Sequence, residues 1–279
     1  MKYIVNSLIR FLIYTNIFVA FAAFSLYKLS EIIFQFTNHS IGGFVFFSTL
    51  FAYNYMRMIN IFFVKKNKLL LFFHKHTLIC FILLISGFIS IYLINQLGWF
   101  FLELVFPVIL ISFLYPLIIR INNTSYSVRS IPLLKVFLIA LIWSYVTLLS
   151  PLIYESIPLN YYSFDFFFQR FLFVIAISIP FDIRDMYIDN ITTLPNTFGI
   201  YQSKLFAWFC LFIIDVLLFI NLINHSISTP LFIALFLSIE LTSIVIYFTN
   251  HNRNAVFYGI LVEGLSIIMC LFVLIASFF

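Results

Sequence analysis

Charge is what this 279-residue sequence has least of. Lys, Arg, Asp and Glu make up 9% of it, against ~25% in an ordinary soluble domain. Hydrophobic residues supply 64% and include forty phenylalanines. In water such a chain would expose large apolar patches, whereas lipid accepts them. The sequence therefore reads as an integral membrane protein. Cysteine is scarce too: Cys80, Cys210 and Cys270 stand singly in apolar runs, which excludes a thiolate metal site or redox pair. Seven glycines leave no glycine-rich phosphate loop and no nucleophile elbow. Long polar loops are absent as well, so the expected organisation is a single polytopic membrane domain, 1–279.

What is abundant is apolar runs of bilayer-spanning length. Windows of about 20 apolar residues fall at 11–29, 42–64, 77–97, 99–119, 133–153, 164–180, 205–223, 231–248 and 256–279. The expected fold class is all-α, with about nine transmembrane helices. The first window resembles a signal peptide, but no polar domain follows it, so a retained span is expected. Pro180 is expected to kink or stop the sixth span.

Basic residues orient this arrangement. Lys2, Arg10, Lys65, Lys66, Lys68, Lys75, Arg120, Arg129, Lys135, Arg184, Lys204 and Arg253 all fall on one side. Lys28 and Arg170 fall on the other, and Arg57 lies within the second span. The expected topology has a cytoplasmic N-terminus, in a membrane of the prokaryotic inner (plasma) type. It also accounts for the net charge of +5 without a nucleic-acid partner.

Against this background FDIRDMYIDNITTLP, residues 181–195, stands out. Asp182, Asp185 and Asp189 are three of only ten acidic residues. On a helix continuing from the sixth span they point within a ~60° sector, with Arg184 on the far side. Like charges so close at a membrane edge repel unless a cation relieves them. Carboxylates without thiolate or imidazole partners suit a hard ion such as Mg2+, which shares its shell with water and substrate phosphate. A solvated helix end is the plain alternative.

D-x-x-D-x-x-x-D followed by Thr193-Leu194-Pro195 and Gly199 resembles the second aspartate-rich motif of the UbiA-type membrane prenyltransferases. The resemblance implies a nine-helix bundle and cleavage of a prenyl diphosphate. It implies transfer of the prenyl group to an acceptor, which the sequence leaves unidentified, as it does the oligomeric state. By the same resemblance Asp182, Asp185 and Asp189 would be the catalytic Mg2+ ligands. Tyr115-Pro116 with Arg120 resembles a basic element that approaches the diphosphate, although Ile119 stands where a lysine is expected. Arg10 resembles the arginine opening the first helix, and also suits a topology anchor.

The first motif of the family, N-D-x-x-D-x-x-x-D, is degenerate. With its asparagine on Asn54, the positions of the three acids hold Tyr55, Met58 and Phe62. One Mg2+ site is supported and a second is not. Arg57, one turn from Asn54, is the candidate replacement, so Asn54, Arg57, Arg120 and Arg184 complete the expected diphosphate-binding set; an ion pair of Arg57 with Asp182 or Asp185 is the alternative. Asn54, Arg57, Asp182 and Asp185 are expected around one cavity. A non-catalytic member of the fold, binding an isoprenoid or quinone-like lipid or acting as an assembly partner, is the second reading. A CDP-alcohol phosphotransferase and a transporter rank lower, for want of their motifs.

Overall fold

A computed structural model describes residues 2–64, 77–117, 119–121, 124–126, 134–186 and 193–279. In chain order the helices are α1 (Lys2–Tyr14), α2 (Ile17–Phe34), α3 (Ser40–Val64), α4 (Thr77–Leu97), α5 (Trp99–Leu114), α6 (Leu134–Tyr154), α7 (Tyr161–Asp185), α8 (Leu194–Phe198), α9 (Ile200–Ile223), α10 (Thr229–Tyr247) and α11 (Phe257–Ala276). A small antiparallel hairpin, β1 (Ile119–Ile121) with β2 (Thr124–Tyr126), follows α5. Apart from it the regular structure among the described residues is all helical.

Each apolar window has a helix over most of its length, although the 99–119 window outruns its helix, which ends at Leu114, and reaches β1. Among the described residues α2, α4, α6, α7, α9, α10 and α11 are long and apolar enough to cross a membrane. Helix α3, at 25 residues, runs beside them, and α5 has 16 residues, or ~24 Å against a ~30 Å hydrocarbon core. The chain is a multi-pass membrane protein.

Neighbouring helices close into a ring. Helix α2 packs on α3, α3 on α4, α4 on α5 and α5 on the end of α6, then α6 on α7, α7 on α9, α9 on α10, α10 on α11, and α11 back on α2. The most deeply buried of the seven is α7. Ser86, Ser144 and Ser238 are buried within the bundle, where small residues let helix backbones approach.

Three sequence expectations are corrected. The 11–29 window is not one helix: Asn16 adopts φ 60°, and the chain breaks between α1 and α2. Of the two effects expected at Pro180, a kink or a stop, the stop is ruled out, since α7 runs on to Asp185. Arg170 is not at a membrane surface. It is 5% exposed inside α7, and its Nη1 donates to Ser30 Oγ and to the Thr147 carbonyl (3.2 Å) and hydroxyl (3.1 Å). A buried arginine in a span requires such partners, and these draw α2, α6 and α7 together.

Local chemistry sets the turns. Asn160 caps α7 by accepting from Ser163 N at 3.0 Å, which satisfies an orphan donor of the first turn. Gly98 (φ +88°) permits the tight reversal from α4 to α5, and Gly199 (φ +91°) the turn from α8 to α9, conformations that side-chain-bearing residues resist. Both π-helical segments, Tyr145–Leu149 in α6 and Phe257–Val262 in α11, contribute to the central cavity through Thr147 and Gly259.

Candidate active site: a polar mouth on an apolar cavity

Helices α2 to α7 and α11 enclose a cavity of about 850 Å3. Its walls are apolar along most of their length. On α3 the lining runs from position 44 to position 57, on α6 from 135 to 147 and on α7 from 174 to 185. At 1.5 Å per residue those runs correspond to a depth of roughly 17–20 Å. Scattered serine and threonine hydroxyls aside, the charged groups Arg57, Lys135, Asp182, Arg184 and Asp185 gather at one end of the wall.

Both described aspartates are engaged by cations. Lys135 Nζ donates to Asp182 Oδ1 at 2.7 Å, and the two side chains are 15% and 3% exposed. Arg184 folds back on its neighbour Asp185 in a two-point contact, Nε to Oδ1 at 2.7 Å and Nη2 to Oδ2 at 2.9 Å. This corrects the expectation that Arg184, on the far side of a straight helix, leaves the acidic stripe alone. An adjacent arginine is long enough to reach round, and the fork geometry of guanidinium and carboxylate favours it. Arg184 also lies over the Phe181 and Tyr258 rings, 5.2 and 5.5 Å from their centroids.

Arg57 is held differently. Its Nη1 donates to the Tyr14 carbonyl and its Nη2 to Asn16 Oδ1 at 2.9 Å, while the guanidinium sits 5.4 Å from the Tyr14 ring centroid. The alternative of an ion pair with Asp182 or Asp185 is not what the structure shows. Asn54 stands behind Arg57, fully buried and outside the cavity lining. Its Nδ2 donates to the Thr15 carbonyl (3.1 Å) and the Leu50 carbonyl (2.9 Å), and its Oδ1 accepts from Asn16 Nδ2 at 3.0 Å. Asn54 thus fixes the α1–α2 break, and the break fixes Arg57. Of the four residues expected to converge, three line the cavity and Asn54 supports one of them from behind.

The remaining expected residues are placed as follows. Asp189 lies outside the described residues. Arg120 falls in β1, and its side chain is likewise outside them. Tyr115 and Pro116 line the cavity. Arg10 is exposed on α1 and does not line it, as suits an anchor. Thr193-Leu194-Pro195 opens the short α8, with all three residues buried, and Gly199 supplies the positive-φ turn after it.

Lys135 and Glu263 belong to this wall and were not among the expected site residues. Lys135 was legible in principle. Helices α6 and α7 form an antiparallel pair joined at 155–160, so a residue twenty before that turn lies level with one twenty-two after it. Glu263 lies near enough to Arg184 for their charges to interact.

The donor set can be tested against Mg2+. Asp182 and Asp185 stand one turn apart on α7 at the cavity mouth, and a Mg2+ ion takes one or two carboxylates with water and phosphate completing its shell. The donor type suits Mg2+, which would compete with Lys135 and Arg184 for these carboxylates. Among the described residues no cluster of three acidic, histidine or cysteine side chains exists, and α3 carries Tyr55 and Met58 in place of acids.

No family model matches the sequence, and no curated protein is similar to it. Similarity appears in structure. A UbiA homologue from Aeropyrum pernix K1, in its apo form, superposes with a TM-score of 0.64 at 10% identity, over 92% of this chain and 98% of that one. A UbiA homologue from Archaeoglobus fulgidus, bound to GPP and Mg2+, gives 0.62 at 13%, over 95% and 98%. A structure described as digeranylgeranylglyceryl phosphate synthase gives 0.56 at 18%, over 99% and 98%. The ring of helices, the cavity it encloses and these superpositions together establish that the chain has the fold of the UbiA-type membrane prenyltransferases.

Proposed function

We propose that this protein is a prenyltransferase, a single membrane domain that takes a prenyl group from a prenyl diphosphate and passes it to an acceptor at the cytoplasmic face. The observation that carries this reading is the cavity: an apolar channel closed round by helices, with its cationic and anionic side chains confined to one mouth. A diphosphate ester of an isoprenoid has the same division of polarity. The solved homologue that holds GPP and Mg2+ supports the reading. The asymmetry of basic residues along the sequence supports a cytoplasmic orientation of this mouth.

In the proposed reaction the bond from the allylic carbon to the diphosphate oxygen breaks, and its electron pair leaves on oxygen. The acceptor's nucleophilic atom then bonds to the allylic carbon and gives up a proton. Mg2+, when held by Asp182 and Asp185 with Asp189 as the expected third ligand, would offset the charge of the departing diphosphate. Arg57, Lys135 and Arg184 present cations to the same group, with Arg120 as a further expected contact. Below the mouth, Tyr53 meets Trp143 edge-on (centroids 6.5 Å), and Tyr55 and Phe51 pack on Phe113. Their ring faces suit a carbocation in a water-poor cavity, by cation–π attraction.

The cavity also sizes the donor. A peptide advances ~3.3–3.6 Å per three backbone bonds, so an isoprene unit of four bonds extends ~4–5 Å, and a ~20 Å channel accepts about four units. A geranylgeranyl-length donor fits from Arg57 down to Phe44.

The ion pairs Lys135–Asp182 and Arg184–Asp185 favour a second reading. In it the carboxylates stay neutralised by side chains and the cavity stores an isoprenoid without cleaving it. Membranes containing the protein, incubated with labelled geranyl, farnesyl and geranylgeranyl diphosphates with and without Mg2+, decide between the two. Mg2+-dependent diphosphate release, lost in Asp182→Asn and Asp185→Asn, is the expected result; binding without release establishes the second reading.

A further inference from the structure

The cations at the mouth are not equivalent. Lys135 and Arg184 each have a carboxylate partner. Among the described residues Arg57 has none within salt-bridge distance, and its hydrogen-bond partners are the neutral Tyr14 carbonyl and Asn16 amide oxygen. Those bonds take two of the five N–H groups of a guanidinium, and the side chain forms part of the cavity wall. A charged group in a membrane span is costly unless something of opposite sign meets it. The structure spends a buried asparagine to aim this one, since Asn54 clamps both Thr15 and Asn16 and Asn16 holds Arg57.

We propose that Arg57 is a built-in counter-charge for the diphosphate, doing the work of a second divalent cation, so that this site takes its substrate with one Mg2+ rather than two. The inference rests on the prenyl-diphosphate reading above. A diphosphate monoester carries more negative charge than one Mg2+ offsets, and the described carboxylates fit one ion. Arg57 supplies a further positive charge at a fixed place, with a planar fork matched to phosphate oxygens. Asn16 and Asn54 are positioning residues: they lock the guanidinium, which spares the entropy of ordering it on binding.

The experiment measures binding, not turnover. The full chain in lipid nanodiscs is titrated with geranylgeranyl S-thiolodiphosphate, which resists ionisation, at a series of Mg2+ concentrations, and with geranylgeraniol as an uncharged control. The expected result for the unaltered chain is a slope of about one in log affinity against log Mg2+ concentration, because the slope counts ions taken up with the ligand. Arg57→Ala is expected to bind the thiolodiphosphate about 10- to 100-fold more weakly, the effect of losing charge-assisted hydrogen bonds. It should retain geranylgeraniol, and Arg57→Lys should fall between. A slope of two in the unaltered chain overturns the inference whether or not any variant folds. So does an Arg57→Ala protein that binds the thiolodiphosphate as the unaltered chain does; in both cases the prenyl-diphosphate reading survives. An unaltered chain that binds the alcohol but not the thiolodiphosphate, at any Mg2+ concentration, overturns both.

Discussion

Lys135 and Asp182 join α6 to α7 at the cavity mouth, with Nζ 2.7 Å from Oδ1 and the carboxylate almost wholly buried. The pair neutralises one of the two described carboxylates of the proposed Mg2+ site, and it ties two helices together at the cavity wall. Removing one partner of a buried ion pair is destabilising, by up to ~3–5 kcal/mol where the pair is the main compensation of the remaining charge. Lys135→Ala is therefore expected to lower the unfolding temperature in detergent clearly, and Lys135→Met with Asp182→Leu to recover most of the loss. If the single variant unfolds like the unaltered chain, the pair carries no stability.

The two aspartates differ in their surroundings, and their variants should differ in kind. Asp182→Asn strands Lys135, whereas Asp185→Asn releases Arg184, which still stacks on Phe181 and Tyr258. Both are expected to reduce Mg2+-dependent diphosphate release by ~100-fold or more, the scale of losing a preorganised electrostatic contact. Only Asp182→Asn should also reduce thermal stability. Equal stability losses for the two would contradict the structural assignment.

Chain length should be set by α3. Ser48 faces the cavity nine residues below Arg57, a depth of ~13 Å or about three isoprene units. Ser48→Phe is expected to shift preference from geranylgeranyl toward farnesyl diphosphate by at least ~10-fold, because an isoprene unit excluded from the cavity forfeits its apolar burial. Phe44 packs edge-on against Phe101 (centroids 5.1 Å) at the lower end of the same run, so Phe44→Ala should admit longer donors. Competition between labelled donors of different length reads both, and an unchanged order of preference would show that another wall sets the limit.

Two adjacent glycines test how tightly the bundle is packed. A Cβ on Gly42 would stand 2.8 Å from the Tyr27 ring, which is fully buried and anchored by its hydroxyl to the Asn38 carbonyl at 2.9 Å. A Cβ on Gly43 would meet only a Leu93 methyl at 3.4 Å. Gly42→Ala is expected to cost ~1–3 kcal/mol by overpacking and Gly43→Ala to be close to neutral. Thermal unfolding of the two variants side by side checks the contrast.

Composition and the period of apolar windows determined that this chain lives in a membrane, and where its helices lie. The aspartates at 182 and 185, met against so little other charge, marked one end of the seventh helix as the polar end, because carboxylates are costly within hydrocarbon. Helix ends and breaks were less legible. The left-handed turn at Asn16 depends on Asn54 and Arg57, which lie some forty residues away, and the passage of α7 through Pro180 is set by the helices packed round it.

The state of the site was decided in three dimensions. That Lys135 neutralises Asp182, that Arg184 turns back to Asp185, and that Arg57 meets only neutral partners among the described residues are consequences of how far each side chain reaches across a ring of helices. Sequence spacing fixes which residues share a face of one helix. Which cation meets which carboxylate depends on the distances between helices, and electrostatic interaction in a low-dielectric interior changes steeply over those few ångströms.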